Sequence, residues 1–315
     1  MAQKNSNLRK AQKAKADEFY TMISDIEKEM RHYKDFFKGK VVYCNCDDAR
    51  ESNFFKYFSL NFEHLGLKKL ITTGYKEDGK GVVLIYEGDK NGNRIVEDSE
   101  IIVRELEGNG DFRSAECIEF LKESDVVVTN PPFSLFREYV AQLMEYGKKF
   151  LIIGNKNAIT YKDTFSNIKD NKLWIGITSP DEYRLPSGEI TQKVKGLCRW
   201  FTNIPHDKRN TPLDLYKKYS TEEYPKYDNF DAIEVSKVTE IPTDYDGLMG
   251  VPITFLDKYC PTQFEIIGLA ADKRDECEIF IKGTPTYLDE KHKNFVGLVL
   301  NNKATYARIL IRRFF

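Results

Sequence analysis

The sequence predicts an α/β fold built on an open, mostly parallel sheet. Between residues 40 and 154, short β-branched runs typical of buried strands alternate with stretches whose apolar residues have helical spacing. The chain has 315 residues, of which 41% are hydrophobic and 31% are charged. This composition is typical of a globular protein that buries one large α/β core and carries an appended module.

The elements of the first half are predicted in order from this spacing. Apolar positions predict an amphipathic helix over residues 17–37, which Gly39 ends, and a buried strand over 40–45. The elements that follow are a helix near 54–65, strands at 67–73, 82–86 and 101–104, a helix near 114–122, a strand at 124–129, a helix over 134–146 and a strand at 149–154. A Gly- and Asn-rich centre separates the strands at 82–86 and 101–104, which predicts a hairpin insertion over 79–106.

The second half of the chain has a different composition. Short strands predicted at 173–177 and 198–202 are joined by loops rich in proline and tyrosine, especially over 211–261. We therefore expect three regions: a basic, flexible arm (1–16), a core that carries the hairpin (17–170), and a region (171–315) that completes the core and extends it.

Composition and spacing argue against several classes of protein. The six cysteines and four histidines are scattered singly, so neither a disulfide framework nor a metal site is expected. No apolar run approaches ~18 residues and the polar N-terminus lacks a signal-peptide core, so we expect a cytoplasmic protein with no membrane partner. The net charge of −1 does not argue against a nucleic-acid partner, because basic residues cluster near both ends of the chain.

The most informative segment is the strand at 124–129 with the Asn-Pro-Pro-Phe motif (residues 130–133) that follows it. Two prolines end the strand abruptly and leave an amide, a rigid carbonyl-bearing pair and an aromatic ring at its tip. These groups suit the amino group of a flipped-out base. The amide oxygen of Asn130 and a carbonyl of Pro131 or Pro132 accept its two hydrogens, and Phe133 stacks on the ring. The alternative is an Asn-Pro turn after a core strand, with Phe133 packed inside.

The first predicted strand also ends in polar residues, at the edge where open α/β sheets bind ligands. Asn45, Asp47 and Asp48 would hold the amino-acid end of a nucleoside cofactor, with one of the two aspartates facing its ammonium group. A helix N-cap at either aspartate explains them equally well. No glycine occurs between Gly39 and Gly66, which argues against an ordinary dinucleotide fingerprint.

Two further segments carry weaker signals. The carboxylate of Asp111 would accept a hydrogen bond from an adenine amino group while Phe112 packs on the ring, although a Gly-Asp turn that opens a helix is the simpler explanation. The segment 17–21, which includes Tyr20 and Thr21, begins with acids that are ordinary partners of a helix dipole.

Together, these segments resemble the EcoRI-type DNA adenine-N6 methyltransferases over most of the chain. The Asn-Pro-Pro-Phe motif is shared by many amino-group methyltransferases, whereas the aromatic run at 52–58 and the segment 249–257 are much more specific to this family. The other segments that carry the resemblance are 17–21, 41–48, 199–203 and 306–313.

The resemblance implies a fold and a role for each candidate residue. The fold would be the Rossmann-like sheet of S-adenosylmethionine-dependent methyltransferases, with an inserted hairpin and a C-terminal target-recognition extension. Tyr20 and Thr21 would contact the methionine end of the cofactor, the loop 45–48 would replace the usual glycine-containing loop, and Asp111 with Phe112 would lie at the cofactor adenine. Asn130, Pro131, Pro132 and Phe133 would be the catalytic residues.

The resemblance also implies an activity and partners. The cofactor would be S-adenosylmethionine, and the reaction would methylate N6 of adenine in duplex DNA as part of a restriction-modification system. The enzyme would act as a monomer without a metal and without a stable complex with a cognate endonuclease, and GAATTC is a candidate recognition sequence.

Two other functions are compatible with the motif. A protein glutamine N-methyltransferase uses similar Asn-Pro-Pro-aromatic chemistry, but the missing glycine loop and the long region after residue 170 disfavour it. A catalytically inactive DNA-binding relative would be expected to have lost Asp111 or the Asn-Pro-Pro-Phe motif, and both are present.

Overall fold

The structure, a computed structural model, describes residues 20–184, 189–191, 196–273 and 277–315, and only the backbone of Asp47 and Asp207. The chain divides into two compact units. The first comprises residues up to 158 and 175–205, and the second comprises 159–174 and 206–315. The predicted basic arm (1–16) and the first residues of the predicted helix (17–19) lie outside the described residues.

The first unit is built on a large mixed sheet and a small antiparallel one. Its described strands are β1 (Tyr20–Thr21), β2 (Val41–Asp47), β3 (Lys69–Gly74), β4 (Val82–Tyr86), β5 (Ile101–Glu105), β6 (Val126–Thr129), β7 (Lys149–Asn155), β8 (Trp174–Ile175, at the boundary), β9 (Tyr183–Arg184), β10 (Ile190–Thr191) and β11 (Cys198–Thr202). Its described helices are α1 (Ile23–Met30), α2 (Asn53–Leu60), α3 (Phe62–Leu65), α4 (Ala115–Glu123) and α5 (Phe136–Glu145).

The large sheet has the strand order β5-β4-β3-β2-β6-β7-β11-β8. The central strands β3, β2, β6 and β7 are parallel to one another, whereas β4, β5 and β11 are antiparallel to the strands they flank. Strand β4 pairs with β3 and β5 pairs with β4, so these two strands extend the sheet beyond β3. In the small sheet, β9 lies between β1 and β10.

The core of the first unit lies against this large sheet. All four residues of β6 are buried and β-branched, as expected for a central parallel strand covered on both faces. Aromatic side chains of α2 pack over the sheet, and the ring of Phe54 meets that of Trp200 edge to face at 6.3 Å between centroids. The aromatic run at 52–58 is therefore a core element.

Two predicted elements are shorter than expected. The predicted helix over 17–37 is divided into β1, α1 and a 3-10 turn at Lys34–Phe37. Strand β1 was not predicted because Thr21 pairs with Tyr183, which is so distant in sequence that local spacing gives no sign of it. The 3-10 turn was not distinguished from the helix because apolar positions in such turns also recur every three residues. The predicted strand over 173–177 is reduced to β8.

The second unit has its own sheet and core. Its described elements are α6 (Lys162–Lys169), β12 (Lys226–Tyr227), β13 (Phe230–Glu234), β14 (Met249–Pro252), β15 (Phe264–Ala270), β16 (Val299–Leu300), β17 (Lys303–Ala304) and β18 (Arg308–Arg313). Five of the strands form a sheet in the order β12-β13-β14-β18-β15. In the described part of the chain, no helix is long and apolar enough to cross a membrane.

Candidate active site

The parallel strands β2, β3 and β6 bring several candidate segments to one edge of the large sheet. Strand β2 lies between β3 and β6, so the winding of the chain reverses direction there. Ligands of open α/β sheets bind beside the carboxyl ends of the strands at such a reversal. Asn45 near the end of β2 and Asn130 directly after β6 flank this point.

Asn45 is held in place by two neighbours. It is 3% exposed, its side-chain oxygen accepts a hydrogen bond from the hydroxyl of Tyr139, and its carbonyl accepts one from the hydroxyl of Thr129. Cys46, the next residue, has a φ of 68°, in the left-handed region that glycine usually occupies. Cys46 lies within β2, whose register against β3 shifts between Cys44 and Asp47, so this irregularity of the strand is formed at a cysteine and without a glycine.

The helix cap that the sequence left open at Asp47 or Asp48 is at neither residue. Strand β2 continues through Asp47, so this residue belongs to the strand, and only its backbone is described. Asp48 is exposed, and its Oδ1 accepts hydrogen bonds from the amides of Arg50 at 2.9 Å and Glu51 at 3.1 Å. The residue that caps α2 is Ser52, whose Oγ accepts from Phe54 N at 3.2 Å.

The segment with Asp111 and Phe112 is packed against the end of β3. Gly110 has a φ of 83°, and a Cβ at this position would collide with the carbonyl of Gly74. The carbonyl of Asn109 accepts from Lys76 N at 2.8 Å, and its side chain accepts from Asp111 N at 3.1 Å. These contacts keep Asp111 beside the same sheet edge as Asn45 and Asn130.

The Asp111 carboxylate is oriented by Arg113. The guanidinium donates to Oδ1 at 2.9 Å and to Oδ2 at 2.7 Å, and it also contacts the carboxylate of Glu138 at 3.2 Å. These hydrogen bonds from Arg113 lower the pKa of Asp111, and the charge of Arg113 adds to the effect. Asp111 therefore remains an ionised hydrogen-bond acceptor at neutral pH.

Tyr139, which sequence reasoning missed, connects three candidate segments. Besides its hydrogen bond to Asn45, its ring meets that of Phe112 edge to face at 5.0 Å, and it lies on α5, the helix that follows the Asn-Pro-Pro-Phe motif. Burial raises the pKa of Tyr139 well above its usual range, so the hydroxyl stays protonated and acts as a donor. A tyrosine on the buried face of a helix needs a hydrogen-bond partner for its hydroxyl. The occurrence of a tyrosine among the apolar positions of α5 is the sequence signal that could have identified Tyr139.

The Asn-Pro-Pro-Phe motif forms a tight turn between β6 and α5. Asn130 is half-buried, Pro131 is buried, and the carbonyl of Pro132 accepts from Leu135 N at 3.0 Å within a 3-10 turn over Phe133–Leu135. Phe133 packs on the apolar core with only part of its side chain, and the rest is accessible. The ring is therefore neither a fully buried core residue nor a fully exposed one.

Tyr20 and Thr21 lie on β1 of the small sheet. The carbonyl of Thr21 accepts from Asn53 Nδ2 at 2.7 Å, and Asn53 is the first residue of α2. The Thr21 hydroxyl is buried and has no hydrogen-bond partner within the described part of the chain. The guanidinium of Arg184 lies over the ring of Tyr20 at 5.6 Å from its centroid and contacts Glu51 at 3.3 Å.

Metal ligands are not grouped in the part of the chain that the structure describes: no set of three or more His, Cys, Asp or Glu side chains there could hold a metal ion. The side chains described above at this sheet edge are amides, hydroxyls, carboxylates and aromatic rings.

Comparison with known proteins gives one consistent answer. The family model "Adenine-specific methyltransferase EcoRI" matches residues 7–314. Type II methyltransferase M.EcoRI from Escherichia coli is 48% identical, over 98% of this chain and 96% of its own. Type II methyltransferase M.MpnI from Mycoplasma pneumoniae is 39% identical, over 96% of this chain and 97% of its own. No solved structure matches the chain. The chain is thus an enzyme that belongs to the EcoRI family of adenine-specific methyltransferases.

Proposed function

We propose that this protein methylates N6 of adenine in duplex DNA with S-adenosylmethionine as the methyl donor. The observation that carries the proposal is the position of the Asn-Pro-Pro-Phe motif at the reversal of the sheet, where the Thr129 hydroxyl links it to Asn45. Family membership supports the same reaction.

The residues of the site fit this cofactor. Its adenine amino group needs an acceptor, and the ionised carboxylate of Asp111 beside Phe112 would supply one. Its methionine end needs polar partners, and the buried hydroxyl of Thr21 has none within the described residues. Asn45, Asp47 and Asp48 would complete the loop along the cofactor, and Tyr20 would lie beside Thr21. Bound S-adenosylmethionine would supply a methyl group on a sulfonium, which carries its own leaving group.

The catalytic residues would act on the adenine amine. The side-chain oxygen of Asn130 would accept one amine hydrogen and so draw electron density towards the nitrogen. We assign the second hydrogen to the carbonyl of Pro131, because the carbonyl of Pro132 is engaged by Leu135. Phe133 would stack on the flipped-out base, and the rigidity of the two prolines would keep these groups oriented.

Recognition of the duplex would involve other parts of the chain. We propose that residues 17–170 form the methyltransferase core, with a hairpin inserted at 79–106, and that residues 171–315 complete the core and read the target. The antiparallel pairing of β4 with β5 supports the hairpin. Residues 175–205 belong to the first unit, which supports their role in completing the core, and residues 206–315 belong to the second unit, which supports a separate role in reading the target. The basic arm (1–16) would contact phosphates.

The biological setting follows from the relatives. Both are named type II methyltransferases, so we propose a role in a restriction-modification system in the bacterial cytoplasm, where the DNA is. The enzyme would act as a monomer and would form no stable complex with a cognate endonuclease. GAATTC is a candidate recognition sequence.

A transfer assay with labelled cofactor tests the proposal. Duplex DNA and total protein are offered together, and the label is followed in both. The proposal predicts label in DNA with the wild type and a loss of that label with Asn130→Ala. Label in protein alone would favour glutamine methylation, and DNA binding without transfer would favour an inactive relative.

A further inference from the structure

Helix α1 carries two buried carboxylates that the proposed reaction does not use. Asp25 is 2% exposed and Glu29 is completely buried. The two are four positions apart, so they lie on the same face of the helix. Burying two acids is costly unless each has good partners, which makes their partners informative.

Glu29 binds the backbone of a segment far along the chain. Its Oε1 accepts from Ile177 N at 2.8 Å and from the hydroxyl of Tyr33 at 2.9 Å. Its Oε2 accepts from Thr178 N and from Thr178 Oγ1, both at 2.6 Å. Gly176 allows this approach, because a Cβ at that position would collide with Oε1.

Asp25 binds the same segment four residues further on. Its Oδ2 accepts from Asp181 N at 2.9 Å and from Glu182 N at 3.1 Å, and its Oδ1 accepts from Lys28 Nζ at 2.9 Å. The two carboxylates thus fix the backbone of residues 177–182, which leads directly into β9.

Strand β9 in turn sets the position of β1. Tyr183 is fully buried and pairs with Thr21. Thr21 is therefore held from one side by β9 and from the other by Asn53, whose amide donates to its carbonyl. Its buried hydroxyl has no hydrogen-bond partner within the described residues, so this oriented donor is available to a ligand.

We propose that Asp25 and Glu29 are positioning residues for the cofactor: through residues 177–182 and β9 they hold Thr21 so that its hydroxyl meets the polar methionine end. The proposal rests on the proposed function, which assigns S-adenosylmethionine to this site. Neither carboxylate touches the cofactor. Their contribution is the fixed geometry of β1, which preorganises the site and lowers the cost of ordering it on binding.

Binding of S-adenosylhomocysteine, measured by isothermal titration calorimetry, is the test. Glu29→Gln replaces one acceptor oxygen by an NH2 group, which repels the backbone N–H groups of residues 177–178. Asp25→Asn has the same effect on the backbone N–H groups of residues 181–182. We expect each to weaken binding about tenfold, within the range by which residues remote from a ligand alter its affinity. The KM for the cofactor should rise by a similar factor while kcat at saturation stays within about twofold.

Two control variants separate positioning from general destabilisation. Glu27→Gln changes an exposed acid on the same helix, and Glu234→Gln changes a buried acid of the second unit. Both should bind S-adenosylhomocysteine as the wild type does, although Glu234→Gln lowers the melting temperature. A third test variant, Thr178→Val, removes only one of the four hydrogen bonds to Glu29 and should weaken binding about threefold. It replaces Asp25→Asn and Glu29→Gln as the test if those two variants do not fold.

The outcomes are distinguishable. Wild-type affinity in Thr178→Val and in whichever of Asp25→Asn and Glu29→Gln fold would overturn the inference. So would a loss of affinity in Glu234→Gln as large as in those variants. A wild-type protein that binds no S-adenosylhomocysteine would instead overturn the proposed function.

Discussion

The two units of this protein use buried acids in different ways. In the first unit, Asp25 and Glu29 accept hydrogen bonds mainly from backbone amides and thereby fix a loop. In the second unit, Glu234 on β13 pairs with Arg308 on β18, with Nη2–Oε1 at 2.8 Å and Nε–Oε2 at 3.0 Å, and it also accepts from the hydroxyl of Tyr227. This pair connects two strands on either side of β14.

The two kinds of partner give a buried acid different roles. An acid bound by amides orients a loop and the strand after it, which matters where a ligand must be held. An acid bound by arginine stabilises a sheet, because its loss leaves a buried charge behind. We therefore expect substitutions of polar residues at the sheet edge of the first unit to alter chemistry or cofactor affinity, and substitutions in the second unit's pair to alter stability.

The largest effect is expected at the tip of β6. Asn130→Ala removes the proposed acceptor for the adenine amine, and kcat should fall by about 10²–10³-fold, as when one preorganised catalytic hydrogen bond is lost. The matched control is Asn203→Ala, at the opposite edge of the sheet, where the side chain accepts from Phe150 N at 2.9 Å. The control should lose stability but keep its kcat. Equal loss of kcat in both variants would contradict the assignment of Asn130.

The second unit should respond in its folding. Glu234→Gln leaves the largely buried guanidinium of Arg308 without its counter-charge, and the free energy of unfolding should fall by about 3 kcal/mol. Urea unfolding followed by circular dichroism measures this loss. Below the unfolding transition, the affinity for S-adenosylhomocysteine should be unchanged. A variant as stable as the wild type would contradict the role given to this pair.

Tyr139→Phe tests the connection inside the first unit. The ring remains packed against Phe112, but the hydrogen bond to Asn45 is lost, which costs about 1 kcal/mol or roughly fivefold in cofactor affinity. Fluorescence titration with S-adenosylhomocysteine measures the change. Tyr86→Phe, which alters another buried tyrosine of the same sheet, should bind as the wild type does. If both variants bind equally well, the hydroxyl of Tyr139 does not position Asn45.

The smallest effect is expected from the ion pair of Arg113 with Asp111. Arg113 holds the pKa of Asp111 below its usual 3.8, so the pair stabilises the folded state above pH 3.8 and loses that contribution as the pH falls through the lower folded value. Because Arg113 is half-exposed, the contribution is below about 1 kcal/mol. Arg113→Ala should therefore flatten the dependence of unfolding free energy on pH in this acid range. An unchanged dependence would contradict the coupling.

Much of the first unit could be predicted from its sequence. The alternation of β-branched runs and helical spacing indicated the parallel strands, and the prolines after β6 indicated where the strand stops. The same reasoning failed for β1, because its partner β9 is remote in sequence. It also left open a helix cap at Asp47 or Asp48, whereas Ser52 caps α2. Asp and Ser are both residue types that cap helices, and only geometry distinguishes them.

The second unit and the connecting residues were harder to predict. Pairings such as Glu234 with Arg308 join residues from distant segments, and no local pattern marks them. Tyr139 was missed because its position on the buried face of α5 is apolar in pattern, and only its partner Asn45 reveals a polar role. Local sequence patterns thus identified the strand ends, whereas the contacts between those ends depend on the three-dimensional fold.

The most direct test of the account is sequencing of genomic DNA from a host that expresses the protein, with modified adenines detected base by base. We expect N6-methyladenine confined to one short recognition sequence with the wild type, and its absence in a host that expresses Asn130→Ala. Two results would contradict the claim that the enzyme methylates adenine through Asn130 at the end of β6. One is unmodified adenine throughout the genome of the host that expresses the wild-type protein, and the other is the same modification with Asn130→Ala.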